Sequence, residues 1–166
     1  MFKKSLGFMT KTIEEVVISP VKGKVIALSE VPDPVFSTKM MGDGIAVLPA
    51  EGEIVSPIDG TVIYVFPTKH AIALKSKNGL EILIHIGLET VSLNGEGFTT
   101  YVETGQEVTV GQLLINVDLA FVKERVPSII TPIIITNGEL VKSMSISKSS
   151  EVVNGKDILL KLELKS

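Results

Sequence analysis

His70 and His85 are the only histidines in the chain, and no cysteine accompanies them. Nucleophilic attack, proton transfer and metal ligation must therefore draw on one or both imidazoles. In Glu81-Ile82-Leu83-Ile84-His85-Ile86-Gly87-Leu88-Glu89, every even position is aliphatic and the odd positions carry Glu81, Leu83, His85, Gly87 and Glu89. A strand alternates its faces with period two, so His85 lies opposite the wholly apolar face, where a reactive group is expected. His70 also lies in a run that reads as strand, sharing a face with Thr68, Ile72 and Leu74. Thr68 thereby places a hydroxyl on the same side as the His70 ring, in position to orient it.

If the two rings meet in space, three chemistries are open. A zinc site requires three or four N, O or S ligands. Glu81, Glu89 or Asp43 would have to complete it, and neither HxxxH nor HxH spacing occurs. An acid–base hydrolase would pair a histidine with Ser or Asp, but the chain has no GxSxG elbow. The third chemistry is a nucleophilic histidine that takes a phosphoryl group while the second imidazole donates a hydrogen bond to its oxygens. Two imidazolium charges would repel by up to about 4 kcal/mol at ~4 Å in an effective dielectric of about 20. Both pKa values should then fall, leaving a neutral nucleophilic nitrogen. Spacing alone leaves phosphoryl transfer and a metal site both open. Gly42-Asp43-Gly44 is not followed by a Walker-type helix and reads as a plain turn. Lys39 lacks the tight hairpin of a biotinyl lysine.

The elements that must position these groups are short and β-rich. Strands are expected at Ile45–Leu48, Thr61–Phe66, Ile72–Lys75, Leu80–Ile86, Gln112–Val117, Ile130–Ile135 and Ile158–Leu162, punctuated by Gly, Pro, Asn and Asp. One or two helical turns are expected at Leu119–Arg125 and at Phe36–Met41. Ile18-Ser19-Pro20-Val21-Lys22-Gly23-Lys24-Val25-Ile26 recurs 37 positions later as Val55-Ser56-Pro57-Ile58-Asp59-Gly60-Thr61-Val62-Ile63, with five identities and two Val/Ile exchanges. Each copy reads as strand, Pro-initiated turn and strand, two related β-units facing each other. The fold class expected is all-β, an antiparallel β-sandwich or flattened barrel with duplicated hairpin units.

Composition bounds the rest. A chain of 166 residues suits one domain that buries about 70% of its unfolded surface. The net charge of −3, with no basic patch, argues against nucleic acid as a partner. No apolar stretch reaches the roughly 18 residues that span a bilayer, and the absence of cysteine fits a cytoplasmic setting. Phe2, Leu6, Met9 and Ile13 recur at helical spacing among Lys3, Lys4 and Lys11. Residues 1–13 are thus expected to be a tail, amphipathic if helical, with at most peripheral membrane contact, and residues 14–166 the single domain.

Several motifs, taken in order, resemble the glucose-type enzyme IIA family of the bacterial phosphoenolpyruvate-dependent sugar phosphotransferase system. They are Val31-Pro32-Asp33-Pro34-Val35-Phe36, Met41-Gly42-Asp43-Gly44-Ile45-Ala46, Ser56-Pro57-Ile58-Asp59-Gly60, Thr68-Lys69-His70-Ala71, Ile84-His85-Ile86-Gly87-Leu88-Glu89-Thr90-Val91 and Gly95-Glu96-Gly97-Phe98. The resemblance implies a β-sandwich with the duplicated hairpins also seen in biotinyl and lipoyl carriers. It implies that His85 is the phosphorylated histidine, attacking through Nε2, and that His70 steadies the phosphoryl group. Thr68 would hydrogen-bond within the relay, and the Gly87 carbonyl would orient the His85 ring. Val35, Phe36, Met40, Met41 and Val91 match an apolar partner-binding ring, with Asp33 and Glu89 as its acidic rim. Lys69 and Glu89 depart from the pattern, where Asn and Asp often stand. The implied partners are the phosphocarrier HPr as donor and a cysteine of the IIB domain of a sugar permease as acceptor. No cofactor is required on this reading. The alternative it carries is regulatory: binding of transporters or kinases by the unphosphorylated face, with zinc at His70 and His85 as an option. Neither reading identifies the sugar.

Overall fold

Short runs of β-branched residues broken by Gly, Pro and Asn give strands too short for one layer to bury, and they stack. The computed structural model describes residues 12–166. In chain order its strands are β1 (Ile13–Ile18), β2 (Gly23–Ile26), β3 (Asp43–Pro49), β4 (Glu53–Val55), β5 (Gly60–Val65), β6 (Ala71–Ser76), β7 (Glu81–His85), β8 (Phe98–Thr100), β9 (Glu107–Val108), β10 (Leu113–Val117), β11 (Thr131–Ile135), β12 (Val141–Ile146), β13 (Glu151–Val152) and β14 (Ile158–Leu164), with short helices α1 (Pro34–Ser37) and α2 (Leu119–Lys123). A large antiparallel sheet runs β13-β2-β3-β11-β7-β6-β5-β9, and two smaller sheets run β1-β14-β12 and β4-β10-β8. The sheets remain open at their edges, so the architecture is a sandwich and the flattened-barrel form is not adopted.

The main core holds Ile72 and Leu74 of β6, Ile82 and Ile84 of β7, and Ile133 and Ile135 of β11, all on one face of the large sheet. The opposite face is also covered. Leu28, Val31 and Phe36 fold over Ala46, Ala71, Leu83 and Ile134 to make a second, smaller core. Helix α1 begins two residues before the expected turn at Phe36, because the Asp33 carboxylate accepts the Val35 N–H at 3.0 Å and Pro34 takes the first helical position. Asp118 caps α2 in the same way through the Phe121 N–H at 3.1 Å.

The two copies of the sequence repeat exchange hydrogen bonds reciprocally. Ile18 N–H donates to Pro57 O and Val55 N–H to Pro20 O, each at 3.0 Å. Gly155 N–H donates to Ser19 O and Gly111 N–H to Ser56 O, each at 2.9 Å. Inside each copy a buried serine hydroxyl, Ser19 or Ser56, donates to the carbonyl two residues on at 2.7 Å. The arrangement is a local dyad, as the facing β-units require. The seven strands expected from the sequence are all present, as β3, β5, β6, β7, β10, β11 and β14. At the N-terminus Phe2, Leu6 and Met9 lie outside the described residues, whereas Ile13 opens β1 opposite Leu164. The last member of the expected helical stripe is therefore a strand residue. Among the described residues no helix is long and apolar enough to cross a membrane.

Close backbone approach at the dyad generates a stability prediction. A Cβ on Gly60 would stand 2.0 Å from the Lys75 carbonyl oxygen, whereas one on Gly138 meets nothing within 4 Å. Gly60→Ala should lower unfolding stability by about 3 kcal/mol, the upper part of the range for overpacking, since backbone must move. Gly138→Ala should stay within about 0.5 kcal/mol of the parent, both read from urea midpoints.

Candidate functional site

The β7–β11 ladder ends at Ile133↔Ile84, one residue short of Pro132 and His85. Pro132 has no N–H to extend it, so His85 is the last residue of β7 and turns out of the sheet there. Its partner across β6 is Ala71. His70, expected within a strand, occupies instead the turn between β5 and β6, immediately before Ala71. Lys69 N–H closes that turn on Phe66 O at 2.7 Å, with Lys69 itself at φ 61°. The ring therefore does not share a face with Ile72 and Leu74, which lie in the main core. It leans toward His85 while its carbonyl accepts the Ile86 N–H at 2.7 Å.

The two imidazoles meet edge to face, with ring centroids 5.0 Å apart and planes at 81°. His85 Nδ1 lies 2.8 Å from the Gly87 carbonyl. A carbonyl only accepts, so Nδ1 carries the proton and the neutral ring keeps its lone pair on Nε2. Gly87 sits at φ 75°, and a Cβ there would meet Thr90 Cγ2 at 2.7 Å. Glycine is thus required to present that carbonyl. The Thr90 hydroxyl pins the same loop by donating to Ile86 O at 2.7 Å. Thr68 Oγ1 lies 2.7 Å from His70 Nδ1. With the hydroxyl donating, His70 Nε2 carries the ring proton and is left as a donor.

His70 is only 5% exposed, and His85 is half-buried. Desolvation is the first cause lowering the His70 pKa to about 4, with the positive charge of His85 second. The His85 pKa is also lowered, chiefly by burial, against upward pulls from the Gly87 hydrogen bond and the Asp33 carboxylate. Repulsion between the rings, the cause expected from the sequence, comes second to burial for His70 and is not among the causes acting on His85. Both rings are neutral at pH 7.

Around the pair, Phe36 packs against His85 at 5.0 Å between centroids and is only 4% exposed, forming a wall of the site. Val35, Met40, Met41 and Val91 are exposed, as are the acidic Glu89 and, in part, Asp33. Asp33 is near enough to act on His85 through its charge. Phe66 was not singled out by the sequence reading, yet its ring stands edge-on to His70 at 5.7 Å. Its alternation with Thr68 in the Phe-Pro-Thr-Lys-His run was the available signal. As a metal centre the site falls short. The two imidazoles stand 5.0 Å apart between centroids, and among the described residues no group of three His, Cys, Asp or Glu is placed to hold an ion. Asp43, Glu81 and Glu89 do not join the two histidines to make the three or four ligands a zinc site takes.

Comparison with known proteins agrees with this geometry. The family model described as phosphoenolpyruvate-dependent sugar phosphotransferase system, EIIA 1, matches residues 15–141. A Bacillus cereus protein named PTS system glucose-specific EIIA component is 48% identical over 165 residues, 99% of this chain and 100% of its own length. A protein of the same name from Oceanobacillus iheyensis is 48% identical over 163 residues, 98% of this chain and 99% of its own. The solved glucose permease IIA of Mycoplasma capricolum superposes with a TM-score of 0.85 at 44% identity, covering 90% of this chain and 96% of that one. By this sequence match and this fold, the chain belongs to the EIIA 1 family of the phosphoenolpyruvate-dependent sugar phosphotransferase system, as a phosphotransferase component.

Proposed function

We propose that His85 accepts a phosphoryl group on Nε2 from the phosphohistidine of HPr and passes it to a cysteine of the IIB domain of a permease, in the cytoplasm. The glucose-specific name of the relatives favours a glucose-type permease. The observation that carries the reading is the 2.8 Å contact of His85 Nδ1 with Gly87 O, which leaves a neutral lone pair on Nε2. In the step, the N–P bond of the donor breaks as the Nε2–P bond of His85 forms. His85 keeps its Nδ1 proton on the Gly87 carbonyl throughout. His70 Nε2–H, set by the Thr68 hydroxyl, donates to the phosphoryl oxygens as their charge shifts. Positioning supplies most of the effect. Partners would meet Val35, Met40, Met41 and Val91, with Phe36 behind them and the acidic Asp33 and Glu89 steering a basic surface.

The same face supports regulatory binding of transporters or kinases while His85 is unphosphorylated. Both Nδ1 atoms are engaged, so a bridging zinc would take the two Nε2 atoms, the His70 proton moving to Nδ1 with Thr68 then accepting it, and would draw its remaining ligands from the bound protein.

Incubated with phosphoenolpyruvate, enzyme I and HPr, His85→Ala should take up no phosphate. His70→Gln should still be phosphorylated, with onward transfer to IIB reduced about 100- to 1,000-fold, the cost of losing one preorganised donor. Undiminished delivery by that variant would overturn the division of roles.

Burial also sets a pH dependence. The folded His70 pKa of about 4 lies below its usual 6.5, so between those values the unfolded chain binds more protons. Stability should accordingly be full above pH 6.5 and fall as pH drops toward 4, by up to about 3 kcal/mol for this residue. His70→Gln should flatten that part of the curve, measured by thermal or urea unfolding at several pH values. Nitrogen-15 NMR should find the His70 ring neutral at pH 7 and charging only toward pH 4.

A further inference from the structure

Strand β5 carries a β-bulge beside the histidine pair. Its ladder with β6 runs Gly60↔Ser76, Thr61↔Lys75 and Val62↔Leu74, skips Ile63, and resumes at Tyr64↔Ala73 and Val65↔Ile72. Regular alternation would send Tyr64 to the same side as Val62, into the main core with Leu74. The extra residue reverses that, because a bulge shifts every later side chain to the other face. Tyr64 then lies in register with Ala73, and Ala73 with Leu83; one step along the sheet, Ala71 pairs with His85. The bulge has therefore turned Tyr64 onto the histidine face.

On that face Tyr64 ends an aromatic series. Its ring centroid is 5.0 Å from Phe66, Phe66 is 5.7 Å from His70, and His70 is 5.0 Å from His85. Tyr64 is 45% exposed, so the series runs from the reacting ring out to solvent. Phe36 borders His85 on the opposite flank, with Val35 on the same short helix. Aromatic side chains thus border the histidine pair at Phe36 on one ring and at Phe66 on the other. A tyrosine offers a large, stiff ring with a polar tip, the kind of side chain that anchors protein interfaces.

We propose that Tyr64 is a docking anchor for the phosphotransfer partner, whose apolar surface covers the β5 flank of the site together with the Phe36 flank. The inference rests on the phosphocarrier reading above. Occupancy by the partner follows from position: a protein whose phosphohistidine reaches His85 Nε2 lies against the sheet face that Tyr64 shares with His85. A bulge forgoes ladder hydrogen bonds, and here it sets one exposed ring on that face.

The experiment compares two donors, the phosphorylated carrier protein and the small molecule phosphoramidate, which needs no docking surface. Tyr64→Ala should raise the KM for the carrier about 5- to 30-fold, as loss of an anchor worth ~1–2 kcal/mol does. Its kcat and its rate with phosphoramidate should hold. Tyr64→Phe, which keeps the ring, should restore most of the lost affinity. An unchanged KM in Tyr64→Ala overturns the proposal. Parallel loss with both donors also overturns it, since Tyr64 would then be supporting the His70 ring and not the partner. Wild-type protein that takes phosphate from neither donor would overturn the phosphocarrier reading itself.

Discussion

The register between β6 and β7 is the constraint on which the rest depends. Ala71 stands opposite His85, and the chain is closed just beyond by Ile86 N–H donating to His70 O at 2.7 Å. Those two facts bring a turn residue and a strand-end residue together as one pair of rings. A slip of one residue would exchange the faces, driving His85 into the main core and Ile84 out of it. Ile72, Leu74, Ile82 and Ile84 oppose that slip from one side, all buried. Ala71, Leu83 and the covering Phe36 oppose it from the other. A two-sided core thus holds a geometry that a half-exposed sheet would leave loose.

Burial then determines the electrical state of the pair. A buried imidazole is held neutral unless a partner stabilises its charge. A buried polar atom also needs a hydrogen bond. Thr68 and Gly87 each satisfy one Nδ1 and thereby select the tautomer. What remains at the surface is one nitrogen that accepts and one that donates. Asp33 adds a pull in the other direction on His85, so the nucleophile is not as electrically isolated as its neighbour.

Much of this was legible in the sequence, for reasons particular to each element. His85 could be placed because Ile82, Ile84 and Ile86 give a clean period of two. The paired units could be placed because a turn with buried serine and close-packed glycine tolerates little substitution, so the two copies still match. The position of His70 was hidden because the turn of Pro67, Thr68 and Lys69 has no period, and Lys69 enters a left-handed conformation its side chain does not advertise. The second core was hidden because Leu83 is the lone apolar residue on its side of β7. The residues that cover it, Leu28, Val31 and Phe36, come from far earlier in the chain. The bulge was hidden because Ile63, Tyr64 and Val65 are all good strand formers. The choice of phosphate over metal came from the family motifs, since two histidines fit either.

The reciprocal hydrogen bonds of the repeat make the molecule an internal homodimer, two like strand-turn-strand units joined in one chain, each sending its two strands to different sheets. In a true homodimer any substitution appears in both subunits, so a change useful to one site must be tolerated at its mate. Joined copies are released from that rule. Here the departure from symmetry can be located: Ile26 of the first copy pairs regularly with Ala46, while its equivalent Ile63 is the bulged residue of the second. The strand that the first unit gives to the large sheet, β2, stays in regular register with β3. The other was free to break step, and it is the one that leads into the histidines.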